Sequence, residues 1–205
     1  MFIGEAVMGK AFSDEEKQEI RKKLLETGTE MFHDNSVKAV NIRELTARAG
    51  ISQGGFYTFY KDKDEFVLDV MRYRSAQKIA DAERLIMQPT DDPAGIMSKV
   101  LFDYLIDMKH KTDTREAYSE VFKMLVKQRE KIVTRGITLF RGFIGRIAAY
   151  WKEQGVPVEV DIEGMCSVAA GAFVLFVHGG MIDRAYFDEL FKAFIDTGVR
   201  KYIRY

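Results

Sequence analysis

NIRELTARAGISQGGFYTFY, residues 41–60, decides how this chain is to be read. Asn41 can accept from the free amides that open a helix, and Leu45 and Ala49 give the short helix behind it an apolar inner face. Gly50 stands where a left-handed residue ends such a helix. Ile51 then plugs an angle, Ser52 caps a second short helix, and Gly54 and Gly55 fall in its first turn. Phe56 has the apolar spacing with Leu45 and Ile51 that marks a core position. Two short helices across a tight turn make a helix-turn-helix.

Helix-start signals recur outward from this stretch. Ser13 with Glu16, Asn41 with Glu44, Asp62 with Glu65 and Asp113 with Glu116 all have capping-box spacing. Asp92-Pro93 places a cap before a proline at the first helical position, and Asp161 and Asp183 are plainer N-caps. Stops stand between them at Gly50, the PTDDP run of 89–93, Gly155 with Pro157, and Gly179-Gly180. Apolar residues repeat at helical intervals from Ile20 to Phe32, Met97 to Met108 and Tyr186 to Ile195. Only VPVEVDI at 156–162 alternates with period two; with no partner strand in view it reads as an extended linker. The expected fold is all-α, with about nine helices: an N-terminal three-helix helix-turn-helix domain joined to a C-terminal helical ligand-binding and dimerisation domain. The expected boundaries are an N-terminal extension at 1–12, the helix-turn-helix domain at 13–63 and the second domain at 64–205.

With 205 residues, 47% hydrophobic and 30% charged, the chain has the composition of a globular protein able to bury a sizeable core. The net charge is zero, so a polyanionic partner must be met by a local patch. Such a patch exists. Over 35–63, Lys38, Arg43, Arg48, Lys61 and Lys63 set against Glu44 and Asp62 give +3. The single cysteine, Cys166, excludes an intrachain disulfide and fits a reducing, cytoplasmic setting. Glu5 and the lack of a basic start argue against a signal peptide. From Gly164 to Ile182 no charged residue occurs, but four glycines and flanking acids favour a buried helix over a membrane span.

Residues 16–68 resemble the DNA-binding domain of the TetR family of bacterial transcriptional regulators. The resemblance rests on LLETGTEMF, AGIS, the tyrosine of GGFYTFY and the KDKDEF opening of the next helix. It implies binding to double-stranded DNA by a homodimer on a near-palindromic operator, with a small-molecule effector. The surface it assigns to DNA comprises Asn41, Arg43, Gln53, Gly54, Gly55, Tyr57, Thr58, Phe59 and Lys63. Tyr57 and Lys63 match phosphate-holding positions, Arg43 matches one able to reach a base edge, and Gln53 and Thr58 face the groove. Phe59 is open between core and DNA surface. Three residues depart from the family pattern: Ser36, Thr46 and Gly55. At Gly55 either the backbone comes closer to DNA or specificity shifts to neighbours.

The rest of the chain carries no motif of its own, though its helices suit the family's second domain. Tyr104, Met108, Tyr118, Phe122, Phe140 and Trp151 read either as ordinary core or as the lining of an effector pocket for an apolar or amphipathic ligand. Eleven bases against five acids over 109–154 leave room for an anionic group, or form a solvated surface. Gly164, Ser167 and Gly171 recur at helical spacing and, with Phe187, Phe191 and Phe194, suit a dimer interface built as a four-helix bundle. His33, His110 and His178 lack metal spacing, and no phosphate loop, serine elbow or carboxylate pair appears, so neither a cofactor, a metal nor an enzyme is expected. Three readings compete: a ligand-released repressor, a DNA-architectural or protein-recruiting factor without an inducer, and a helical binding protein or enzyme that has lost DNA binding. Retention of the phosphate-contacting positions weighs against the third.

Overall fold

A computed structural model describes residues 12–32, 40–127 and 129–205. The 1–11 part of the expected extension, with His33, Ser36 and Lys38, lies outside the described residues. Among them are nine α-helices: α1 (Asp14–Met31), α2 (Ile42–Ala49), α3 (Gln53–Phe56), α4 (Lys63–Ile86), α5 (Pro93–Thr114), α6 (Glu116–Lys127), α7 (Arg129–Glu153), α8 (Ile162–His178) and α9 (Arg184–Tyr202).

The caps explain most of these limits. Ser13 and Glu16 form a reciprocal capping box, the hydroxyl accepting from the Glu16 amide at 3.1 Å and the carboxylate from the Ser13 amide at 2.7 Å. Asp92, Asp161 and Asp183 each accept from an amide in the first turn of α5, α8 and α9. Asp62 caps the Glu65 amide at 2.8 Å, while the Glu65 carboxylate reaches the Lys61 amide rather than that of Asp62. Asp113 is a correction. It lies inside α5 and takes the Lys109 ammonium at 2.7 Å, an i,i+4 pair that competes with a cap at the same residue.

The 156–162 stretch is a second correction. Gly155 turns the chain with φ +68°, and Glu159–Val160 forms strand β1, antiparallel to Ile203–Arg204 as strand β2, with Glu159 opposite Arg204 and Val160 opposite Ile203. The Asp161 amide extends this pairing by donating to the Tyr202 carbonyl at 2.9 Å.

Packing divides the chain into Met1–Arg74 and Ser75–Tyr205. The division falls within α4 rather than at residue 63, because Phe66, Val67 and Val70 of α4 are fully buried in the core of the first unit with Leu24, Leu45 and Phe56. That core needs Gly28. A Cβ there would stand 2.6 Å from Phe66 Cζ and 2.8 Å from Val70 Cγ2.

In the second unit, α8 packs on α7 and α9, and α5 on α9. Met97, Ile144, Ile147, Trp151, Met165, Ala172, Phe191 and Ile195 are among the side chains of its continuous core. By length and composition α8 and its following turn could cross a membrane, yet Gly164, Met165, Cys166, Val168, Ala172 and Phe176 are buried against protein. Burial raises the Cys166 thiol above its ordinary pKa, which leaves it a small inert hydrophobe.

Candidate nucleic-acid interface

The interface begins with α2. The Asn41 side chain accepts from the Arg43 amide at 2.9 Å and the Glu44 amide at 3.3 Å, which leaves its helix starting one residue before Arg43. Leu45, Thr46 and Ala49 are buried, and Arg43 is exposed. Thr46 fits a buried site because its hydroxyl donates to the Ile42 carbonyl at 2.9 Å and the Arg43 carbonyl at 3.1 Å. Gly50 takes φ +78°, a conformation that costs glycine least, and the Ile51 amide closes the turn on the Thr46 carbonyl at 2.9 Å.

Ser52 then caps α3, its hydroxyl accepting from the Gly55 amide at 3.1 Å. The α-helical part ends at Phe56, shorter than the sequence suggests. Helical winding continues as a tighter turn, in which the Thr58 amide bonds the Gly55 carbonyl at 3.1 Å and the Phe59 amide the Phe56 carbonyl at 3.0 Å. Phe56 is fully buried, so its apolar area holds α3 down with about 1.5–3 kcal/mol. Gln53, Gly54, Thr58 and Tyr57 are exposed, Tyr57 at 58%. Phe59 is half-buried, its ring 6.2 Å from that of Phe12. Lys63 opens α4 and is half-buried. Of the basic residues counted in the patch, Arg48 is held by Glu30.

Neither Gly54 nor Gly55 has a positive φ. A Cβ at Gly54 would find its nearest atom at 4.0 Å, and one at Gly55 would meet Ser52 Oγ at 3.4 Å, an ordinary contact. The fold therefore has room for a side chain at both positions.

Behind the surface, the Tyr60 hydroxyl donates to Asp69 Oδ2 at 2.9 Å, beside Arg21 Nη2 at 2.8 Å. Burial first, then the Asp69 charge, pushes the Tyr60 phenol well above its ordinary pKa. The hydrogen bond to Asp69 raises Arg21 likewise. Arg21 and Asp69 lie 48 residues apart along the chain, so no sequence spacing signals this cluster.

Residues 24–70 match the family model of the bacterial regulatory proteins, tetR family. The chain carries a TetR-family N-terminal domain. The HTH-type transcriptional repressor KstR2 of Mycolicibacterium smegmatis is 36% identical over 52 residues, an alignment spanning 25% of this chain and 25% of that one. Across the whole length the likeness is one of fold. The TetR-family repressor AlkX from Dietzia sp. strain DQ12-45-1b superposes with a TM-score of 0.61 at 9% identity, over 95% of this chain and 99% of that chain. SmeT, the repressor of the Stenotrophomonas maltophilia multidrug efflux pump, gives 0.54 at 16% identity, over 90% of each chain. A SmeT–triclosan complex gives 0.53 at 16% identity, over 90% of this chain and 92% of that chain.

The second unit places the remaining candidates as follows. Tyr104, Met108, Tyr118, Phe122 and Phe140 are half-buried on α5, α6 and α7, with Phe122 packed on Phe176 at 5.2 Å. Trp151 is 1% exposed in the core, and its indole N–H has no hydrogen-bond partner among the described residues. Several of the surplus bases of 109–154 are taken up by ion pairs: Lys109 with Asp113, Lys111 with Asp107, Arg141 with Glu163 and Arg146 with Glu83.

An open groove of about 500 Å³ lies between α8 and α9, lined by Ser167, Val168, Ala193, Phe194, Thr197, Gly198, Lys201 and Tyr202. None of the six effector-pocket candidates lines it. The small-residue stripe is largely used within the chain: a Cβ at Gly164 would strike Tyr202 at 2.2 Å, and one at Gly171 would strike Phe194 at 2.6 Å. Phe187 and Phe191 are a further correction to the expected dimer face, because they are 5% and 1% exposed in the chain's own core and stack on each other at 5.3 Å. The outward apolar residues of α8 and α9 are Val174, Tyr186, Leu190 and Phe194.

Proposed function

We propose that this chain is a transcriptional repressor that binds a near-palindromic operator as a homodimer and is released by a small apolar or amphipathic ligand. The observation that carries this reading is the capped α2–turn–α3 unit. It exposes Arg43, Gln53, Tyr57 and Thr58 within the residues matched by the family model. Each of these residue types, with the half-buried Lys63, suits duplex DNA. Arg43 can make a bidentate bond to guanine, Gln53 one to adenine, and the Tyr57 hydroxyl and Lys63 ammonium can hold phosphates. Operator recognition takes place in the cytoplasm.

The homodimer is supported by the exposed Val174, Tyr186, Leu190 and Phe194 beside the α8–α9 groove. Two-fold symmetry would set two α3 elements about 34–36 Å apart, one turn of DNA. The effector reading draws on the SmeT–triclosan complex, and it assigns Tyr104, Met108, Tyr118, Phe122, Phe140 and Trp151 to the pocket. A ligand that binds better to a conformation with misplaced DNA-reading units weakens the operator complex by its differential affinity.

The test is selection of duplexes from a random pool by the purified protein. An enriched inverted repeat supports the reading, and recovery of unenriched DNA rejects specific regulation. Added to that duplex complex, triclosan tests the effector class by anisotropy.

A further inference from the structure

Asp69 of α4 is 9% exposed and gathers donors from two other elements. Its Oδ2 accepts from the Tyr60 hydroxyl at 2.9 Å, from Arg21 Nη2 of α1 at 2.8 Å and from Arg21 Nε at 3.2 Å. Arg72 stands 3.8 Å from Oδ1. The Arg21 guanidinium also lies 6.0 Å from the Tyr60 ring centroid, and its side chain is 57% exposed. Charge balance for the carboxylate therefore comes from arginines that reach solvent, while the buried bond comes from Tyr60.

The Tyr60 ring is held independently of that bond. It packs on Phe56 at 5.4 Å and Phe66 at 5.1 Å between centroids. Packing fixes where the ring sits, and the hydroxyl bond fixes how it is tilted. Between Phe56 and Tyr60 run only Tyr57, Thr58 and Phe59, joined to α3 by single-turn backbone bonds. The direction in which Tyr57 and Thr58 are presented thus depends on two buried end points.

We propose that Tyr60 is a positioning residue for operator recognition, its hydroxyl bond to Asp69 setting the orientation of the segment that carries Tyr57 and Thr58. The inference rests on the DNA-binding reading above. Tyr60→Phe is the sharp variant, because it keeps the ring and leaves Asp69 paired with Arg21.

Wild type, Tyr60→Phe and Arg21→Gln are compared on the duplex selected by the wild type and on a scrambled duplex, with thermal unfolding alongside. Tyr60→Phe is expected to stay folded and to lose about three- to tenfold affinity on the selected duplex, the worth of one hydrogen bond. Its salt slope is expected to match wild type, since no phosphate-binding cation is removed, and its loss on the scrambled duplex is expected to be smaller than on the selected one, since the two share only the Tyr57 phosphate contact. Arg21→Gln keeps the hydroxyl bond and is expected to bind within about twofold of wild type, far less than a lost bond would cost. A folded Tyr60→Phe protein with wild-type affinity overturns the proposal, as does an equal loss on both duplexes. Failure of Tyr60→Phe to fold also overturns it, by assigning the hydroxyl to stability alone. Failure of the wild type to enrich any sequence is a different result, which rejects the DNA-binding reading itself.

Discussion

Gly54→Ala and Gly55→Ala separate what the fold needs from what a partner needs. Both positions have ordinary backbone angles. An added Cβ would stand 4.0 Å from its nearest neighbour at residue 54, and 3.4 Å from Ser52 Oγ at residue 55. The folded chain thus admits alanine without strain. Glycine in a helix costs about 0.5–1 kcal/mol relative to alanine, chiefly through backbone entropy, and α3 is short enough that the lower figure applies at each site. The double variant should therefore be about 1 kcal/mol more stable, raising the midpoint by several degrees. If the bare backbone is what DNA approaches, two methyl groups intrude on a close contact. A loss of about 1–3 kcal/mol then follows, roughly five- to 150-fold in affinity. Thermal unfolding and anisotropy on a selected duplex read the two effects. A variant that is stabilised and binds as wild type refutes close approach, and a destabilised one refutes the packing argument.

Gly28→Ala should act in the opposite sense. Its Cβ at 2.6 Å from Phe66 and 2.8 Å from Val70 overpacks the α1–α4 contact, and a loss of about 1–3 kcal/mol should appear in denaturant unfolding. Lys63→Gln should weaken binding to selected and scrambled duplexes alike and flatten the salt slope by about one, as measured by titration at several salt concentrations. Asp92 is held well below the ordinary carboxylate pKa by Arg200 first, then by Tyr205 and the Gly95 amide. Because its folded-state pKa is depressed, its bonds contribute above the unfolded value near 4 and are lost as pH falls through the folded value. Asp92→Asn should therefore lower stability at neutral pH and flatten its acid fall below about pH 4, seen by unfolding across pH.

What was legible in the sequence was what local chemistry fixes. Asn41, Gly50 and Ser52 act within a few residues of themselves, so the helix-turn-helix could be read directly, and Phe56 followed from spacing. The structure differs where a partner outside the local pattern decides. Two-residue strands leave no periodicity to detect, so β1 at Glu159–Val160 showed only when paired with Ile203–Arg204. Asp113 satisfied capping-box spacing, but Lys109 one turn earlier claimed its carboxylate. Helical spacing marks the apolar residues of α9 without saying which side is inner, so it suits Phe187 and Phe191 to a dimer interface, whereas they fill the chain's own core. The Tyr60–Asp69–Arg21 cluster joins three elements and has no sequence signature at all.

Docking of the α2–α3 surface on duplex DNA is read out by amide hydrogen exchange with and without a selected duplex. Docking there should give new protection over Asn41–Lys63, strongest at Gln53–Thr58, which form α3 and its following turn. Tight binding with no change in exchange over Asn41–Lys63 would contradict it.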